Sequence, residues 1–161
     1  MHKRLTLAGI ASRGAFALAT CLAAVLATPA AAYDLEQHEW RDRLLVYASP
    51  SSDGDDLSDL RQRIAAQQAA ITERHLRVFE LLPDTGSVDD RTLSRQDVDQ
   101  LRNTFDIAAN DQVLLLVGKD GGVKARGPLT TPLADVFQLI DGMPMRQREM
   151  RLQRQGRDSY R

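Results

Sequence analysis

Beyond Cys21 the chain contains no cysteine. That absence excludes disulfides, thiolate metal ligands and thiol–disulfide exchange from everything that follows residue 21. Aromatic residues make up only 5% of the sequence, too few for the stacking platforms that hold nucleic-acid bases. The formal net charge is −1, so the basic excess of a nucleic-acid binder is missing as well. Histidine occurs three times, at His2, His38 and His75, in no spacing that matches a metal site or a recognisable catalytic motif. No apolar run comfortably reaches the roughly 20 residues of a membrane span.

What the sequence does have begins at its first residues. Lys3, Arg4 and Arg13 form a basic start with no acidic residue before Asp34, an alanine-rich apolar stretch runs from Ala15 to Ala27, and Pro29 precedes Ala30-Ala31-Ala32. Basic, apolar and small-residue regions in that order predict a signal peptide over 1–32, cleaved after Ala32, and a periplasmic or secreted protein. An uncleaved anchor helix is the alternative. Leu18-Ala19-Thr20-Cys21 is only loosely like a lipidation site, because Thr20 is bulky and the apolar run continues through Leu22, Val25 and Leu26. The remainder is read as one domain over 33–152 and a basic, flexible tail over 153–161. Charge is unevenly spread. The last twenty residues hold Arg146, Arg148, Arg151, Arg154, Arg157 and Arg161 against Glu149 and Asp158 alone, and the preceding body is acidic. An acidic partner, or pairing of the tail with its own body, is the expectation.

Patterning predicts the elements. Arg43–Ala48 (RLLVYA) is apolar on both faces and reads as a central strand. Leu57, Leu60, Ile64 and Ile71 keep helical spacing, with Asp55, Asp56 and Asp59 at the positive end of the helix. Residues 76–82 form a second strand, stopped by Pro83-Asp84-Thr85-Gly86. Ser94 caps a second helix, with Asp97 completing a capping box and Val98, Leu101 and Phe105 as its buried stripe. Val113–Val117 is a central strand, Lys119–Gly122 a tight turn, and 123–126 a strand with one wet face. Thr131 caps a last helix with Pro132 at its first position, Leu133, Val136, Phe137 and Ile140 on its buried face, and Gly142 at its end. Residues 143–151 form a frayed surface helix. The order β-α-β-α-β-β-α, a parallel pair followed by a hairpin with helices on both faces of a mixed sheet, predicts a single α/β domain of thioredoxin-like arrangement.

Three segments also resemble a known family. Trp40 with the strand after it, residues 118–124 (GKDGGVK) and residues 141–150 (DGMPMRQREM) are similar to the signature segments of a bacterial family known as domain of unknown function 4174. The likeness covers roughly residues 38–152. The family is held to be thioredoxin-like and similar to domains in vertebrate extracellular proteins such as equarin and the sushi-repeat proteins. The resemblance implies a fold and an extracellular setting, and no reaction. A redox thioredoxin carries Cys-x-x-Cys after its first strand and a cis-proline before its third; here Pro50-Ser51-Ser52-Asp53 and Asn110-Asp111-Gln112 stand at those places.

Five segments are candidate sites. Ser51 and Ser52 lie in the loop where open α/β sheets bind ligands, but a nucleophilic serine needs a base in reach. Asp53, Asp55, Asp56 and Asp59 do not keep EF-hand spacing and suit the first turn of a helix. Met143, Met145 and Met150 are soft ligands for Cu(I), or fillers of an irregular core. The turn Gly118–Gly122 with Lys124 and Arg126 is a possible anion nest, or a hairpin in which those cations pair with Asp141 or Glu149. The arginine-rich end is the fifth. Together they predict a binding surface of Lys119, Asp120, Lys124, Arg126, Arg146, Arg148 and Arg151, with no metal, no cofactor and no catalytic residue assigned. The expected partner is a protein or cell-envelope component, acidic in character, and not nucleic acid. A cysteine-independent enzyme or antioxidant acting through a bound metal or the methionines is the alternative.

Overall fold

The computed structural model describes residues 32–89 and 91–158. The predicted leader, with Cys21, lies outside the described residues except for Ala32, and so does the end of the predicted tail from Ser159. A 3-10 turn at Glu36–His38 precedes β1 (Arg43–Ala48). Then follow α1 (Asp55–Ala66), α2 (Gln68–Glu73), β2 (Leu76–Leu81), β3 (Gly86–Val88), β4 (Arg91–Leu93), α3 (Arg95–Thr104), β5 (Val113–Val117), β6 (Val123–Gly127), α4 (Leu133–Asp141) and α5 (Pro144–Asp158). The strands form one mixed sheet in the order β4-β3-β2-β1-β5-β6.

The strands predicted as central are central for the reason their composition gives. All six positions of β1 and all five of β5 are buried. β1 pairs in parallel with β2, Leu45 opposite Val78, and antiparallel with β5, Leu45 opposite Leu116. Alternation along the strands then divides the apolar side chains between two cores. Leu44, Val46 and Ala48 join Phe79, Leu115 and the α3 residues Val98 and Leu101 on one face. Leu45, Tyr47, Leu114 and Leu116 meet α1 through Leu57, Leu60 and Ile64, and α4 through Leu133, Val136, Phe137 and Ile140, on the other. The capping box of Ser94 and Asp97 is present. Among the described residues no helix is long and apolar enough to cross a membrane.

Several expectations need correction. The first helix breaks at Gln67, where the backbone leaves the helical region, so Ile71 belongs to a separate short helix. The stop after β2 leads into the hairpin β3–β4, which the pattern did not indicate because its three-residue strands are too short to show a period. Pro132 is itself the N-cap of α4, and the Thr131 hydroxyl donates to the Pro128 carbonyl instead of capping. The last segment is a continuous 15-residue helix, and residues 153–158 continue it.

Candidate functional site: an ion-locked helix and the cleft beside it

Arg43 opens β1 and points to the same face as Leu45. There it is covered by α5 and is only 1% exposed. Its guanidinium donates to both Glu149 carboxylate oxygens at 3.2 Å and to the Arg74 carbonyl at 2.8 Å. Lys119, in the turn after β5, reaches the same carboxylate at 2.8 Å and the His75 ring at 3.2 Å. Arg146, at 0% exposure, donates to the Glu73 carbonyl at 3.0 Å, the Glu73 carboxylate at 2.7 Å and Asp141 at 3.1 Å. Arg74 pairs with Asp141 at 2.5 Å and lies 4.7 Å above the Phe137 ring.

Arg43, Arg74, Lys119 and Arg146 thus share Glu73, Asp141 and Glu149. Charges removed from water are tolerated only when they are paired and hydrogen-bonded in this way. Burial opposes ionisation of both Asp141 and Glu149. Hydrogen bonds from Arg74 and Arg146 nevertheless hold Asp141 below the usual carboxylate range, and Lys119 and Arg43 do the same for Glu149. The satisfaction is incomplete: the Nε–H groups of Arg43 and Arg74 are buried without a partner among the described residues.

The lock shapes a cleft of about 240 Å³ walled by Trp40, Arg43, Lys119, Asp120, Lys124 and Met145, among others. Trp40 is 68% exposed and has a φ of 60°. That is the left-handed region, uncommon for any residue but glycine and an outlier for a bulky one. Its amide donates to the Lys119 carbonyl at 2.6 Å, which ties the strained residue to the β5–β6 turn. Pro144 and Met145 close the other side, and Met145 is also exposed. On α5, Met145 and Leu152 are seven residues apart and share a flank, with Arg148 between them. Leu152 is exposed, as are Arg148 and Arg151, and neither arginine has an ion pair among the described residues.

The predicted surface therefore divides. Lys119, Asp120 and Lys124 line the cleft, and Arg148 and Arg151 lie on the open side of α5. Arg146 is buried beneath that helix and acts in the lock, so it belongs to no surface. Arg126 stands at the far end of β6, where it donates to the Phe105 and Asp106 carbonyls at 2.6 and 3.1 Å. Neither Lys124 nor Arg126 pairs with Asp141 or Glu149. Lys124 binds Asp120 at 2.5 Å instead. The Asp120 carboxylate, held below its usual range by Lys124 against the pull of burial, also accepts from the Gly122 amide at 3.3 Å. It occupies the place an external anion would need. Gly121 has the positive φ, 73°, that the turn required.

The remaining candidates are placed as follows. Ser49, Ser51, Ser52 and Asp53 bond one another in a local turn. His38 and His75 lie before β1 and β2, at the opposite end of these parallel strands, so neither is a base for the serines. Asp53, Asp55, Asp56 and Asp59 are all exposed, and no group of three or more His, Cys, Asp or Glu is placed to hold a metal among the described residues. Met143 packs against the second core. Sequence reasoning missed Arg43 and Trp40 as site residues. The signal for Arg43 was a charge opening an otherwise apolar strand. For Trp40 it was the sole tryptophan of the chain, in a polar segment.

Fold and site define a single α/β domain whose last helix is fastened by buried ion pairs and borders a cleft. Residues 34–149 match the family described as a domain of unknown function (DUF4174), and the chain belongs to that family. It is also similar to coiled-coil domain-containing protein 80 of the zebrafish Danio rerio, 31% identical over 136 residues. That match covers 74% of this chain and only 16% of the relative. No solved structure matches.

Proposed function

We propose that this chain is an exported, non-enzymatic binding domain on a thioredoxin-like scaffold, and that it docks an acidic segment of a partner protein between Trp40 and the open side of α5. The observation that carries the reading is Trp40, a large apolar side chain kept in solvent by a strained backbone. Strain of about 1–3 kcal/mol persists where the surroundings enforce it, and such residues cluster at functional sites. Tryptophan and arginine are also the side chains that dominate binding energy at protein interfaces. Arg148 and Arg151 supply the positive charge that selects an acidic partner.

The scaffold reading draws on the run β2-β1-β5-β6, with β1 and β2 parallel, β5 and β6 antiparallel, α3 on one face and α1 and α4 on the other. The hairpin β3–β4 is then an edge addition. Pro50 and Asp53 stand where the redox cysteines would be, which removes disulfide exchange. The relative contains this unit as a small part of a longer chain, the pattern of a reusable module. A second reading, a cysteine-independent enzyme or antioxidant using a metal or the methionines, has one observation behind it: Met143 and Met145 line the same cleft.

Trp40 is the only tryptophan in the sequence, so its fluorescence reports on the cleft directly. Synthetic peptides rich in Asp and Glu with interspersed Leu and Phe should shift its emission to the blue. The affinity should fall at least about tenfold in R148E/R151E, which corresponds to about 1.4 kcal/mol, and should weaken with salt. A response to anionic lipid vesicles alone would overturn the protein-partner reading, and a response to Cu(I) alone would transfer the cleft to the second one.

A further inference from the structure

Tyr33, the residue after the predicted cut, is 5% exposed. Its ring meets Phe79 edge-on with centroids 5.6 Å apart, stacks on His38 at 6.0 Å and lies 5.5 Å from the Arg91 guanidinium. The phenol oxygen is 2.8 Å from His38 Nε2, and His38 Nδ1 is 2.9 Å from an Asp42 carboxylate oxygen. A carboxylate only accepts, so Nδ1 carries a proton, and in the neutral ring Nε2 accepts from the phenol. The Tyr33 carbonyl accepts from Gln100 Nε2 at 3.5 Å, and its nitrogen donates to Asp97 Oδ1 at 2.7 Å. Every polar atom of the residue has a dedicated partner, whereas Ala32 immediately before it is exposed.

Asp97, the capping-box residue of α3, also forms the floor of this socket. It is 9% exposed. Its carboxylate accepts from Tyr33 N, from Ser94 N at 3.0 Å and from Ser94 Oγ at 2.7 Å. All three donors are neutral as the chain stands, and no ion pair to Asp97 forms among the described residues. A buried carboxylate with no cation in contact is costly. Burial opposes its charge, yet the bonds from Ser94 and Tyr33, with the more distant charge of Arg91, keep it ionised below the usual range. A positive charge on Tyr33 N would complete the site at an atom that already donates to it.

We infer that the chain is hydrolysed between Ala32 and Tyr33 and that the α-ammonium so created forms a buried ion pair with Asp97. Water adds across the amide under a signal-cleaving peptidase. Its hydroxyl goes to the Ala32 carbonyl carbon and its hydrogen to the Tyr33 nitrogen, which takes a further proton from solvent. The inference rests on reading residues 1–32 as a leader. The end of the leader and the floor of the socket are then one device: processing supplies a cation in direct contact with Asp97, where Arg91 acts only from a distance. The charged groups facing Tyr33 are Arg91 on β4, Asp89 after β3, Arg77 on β2 and Asp42 before β1. The Asp97 carboxylate favours the ammonium form, while burial and the charges of Arg91 and Arg77 oppose it.

The full chain should be expressed through an export pathway and the product weighed intact. The expected mass begins at Tyr33; any other start overturns the leader reading and the inference with it. An aldehyde reagent selective for N-terminal amines then tests the pairing by itself. Labelling of the folded protein should be at least about tenfold slower than in denaturing urea, because a buried pair must open before the reagent gains access. Equal rates on a Tyr33 start would leave the leader reading standing and sink the ion pair. Asp97→Asn should restore fast labelling. Ser94→Ala, which removes the cap hydroxyl but keeps the carboxylate, should retain the protection, and this separates pairing from any loss of folding in Asp97→Asn.

Discussion

At the scale of single residues, Trp40 and Glu149 are opposites. Trp40 combines a left-handed backbone with a side chain in solvent, so its cost is conformational and its packing contribution is small. Glycine adopts the same φ without a clash. Trp40→Gly should therefore leave the unfolding free energy, measured by urea denaturation, within about 1 kcal/mol of the parent while peptide binding is lost. A large loss of stability would show that the side chain serves the core. Glu149 does the reverse: it has no place in the proposed binding surface, yet it pairs with the buried cations Arg43, Lys119 and, at 3.9 Å, Arg146. Glu149→Gln strands Arg43 and Lys119 and should destabilise the protein by about 3 kcal/mol, read by chemical denaturation. An effect below about 1 kcal/mol would mean that water reaches the lock. Neither role is written in residue type alone, because a tryptophan in a polar segment and a glutamate in an arginine-rich one look equally unremarkable in sequence.

Among the elements, those bound by apolar periodicity were legible. Two continuous apolar runs became the two central strands, and Ser94 with Asp97 marked the start of α3. The last helix was legible as a helix but not as a docked one, because its inward stripe is Arg146, Glu149, Met150 and Gln153. Helical spacing is present, but its polarity is inverted, and only the unseen partners Arg43, Glu73 and Lys119 make that stripe a buried one. The hairpin β3–β4 escaped for a different reason: strands of three residues carry too little alternation to count. It depends instead on a close approach. A Cβ on Gly86 would stand 2.7 Å from the Glu80 carbonyl oxygen and 2.7 Å from Val98 Cγ2. Gly86→Ala should cost about 1–3 kcal/mol through overpacking between hairpin and α3, measured as a lowered Tm. An unchanged Tm would show that the hairpin moves aside freely. The predicted binding residues were half legible in the same sense: Lys119, Asp120 and Lys124 reached the cleft because the turn was recognised. Arg146 was misassigned because an arginine in a basic segment reads as solvated.

Over the whole molecule, the lock couples the shape of the cleft to acidity. Asp141 and Glu149 titrate below their ordinary values in the folded protein, so their contribution is present above about pH 4 and disappears as pH falls through the depressed values. Acid should release α5 below about pH 4, with Trp40 fluorescence and far-ultraviolet circular dichroism changing together. A transition centred above pH 5 would exclude these carboxylates as its cause. The order of the parts along the chain adds a temporal dimension. Trp40 precedes the first strand and Met145 follows the last, and every strand of the sheet is made in the interval between them. A polypeptide that is stalled in synthesis, or clipped near Gly142, keeps both apolar cores but offers its partner only one wall. On the proposed reading, the cleft is therefore open to a partner only after α5 has been made and docked.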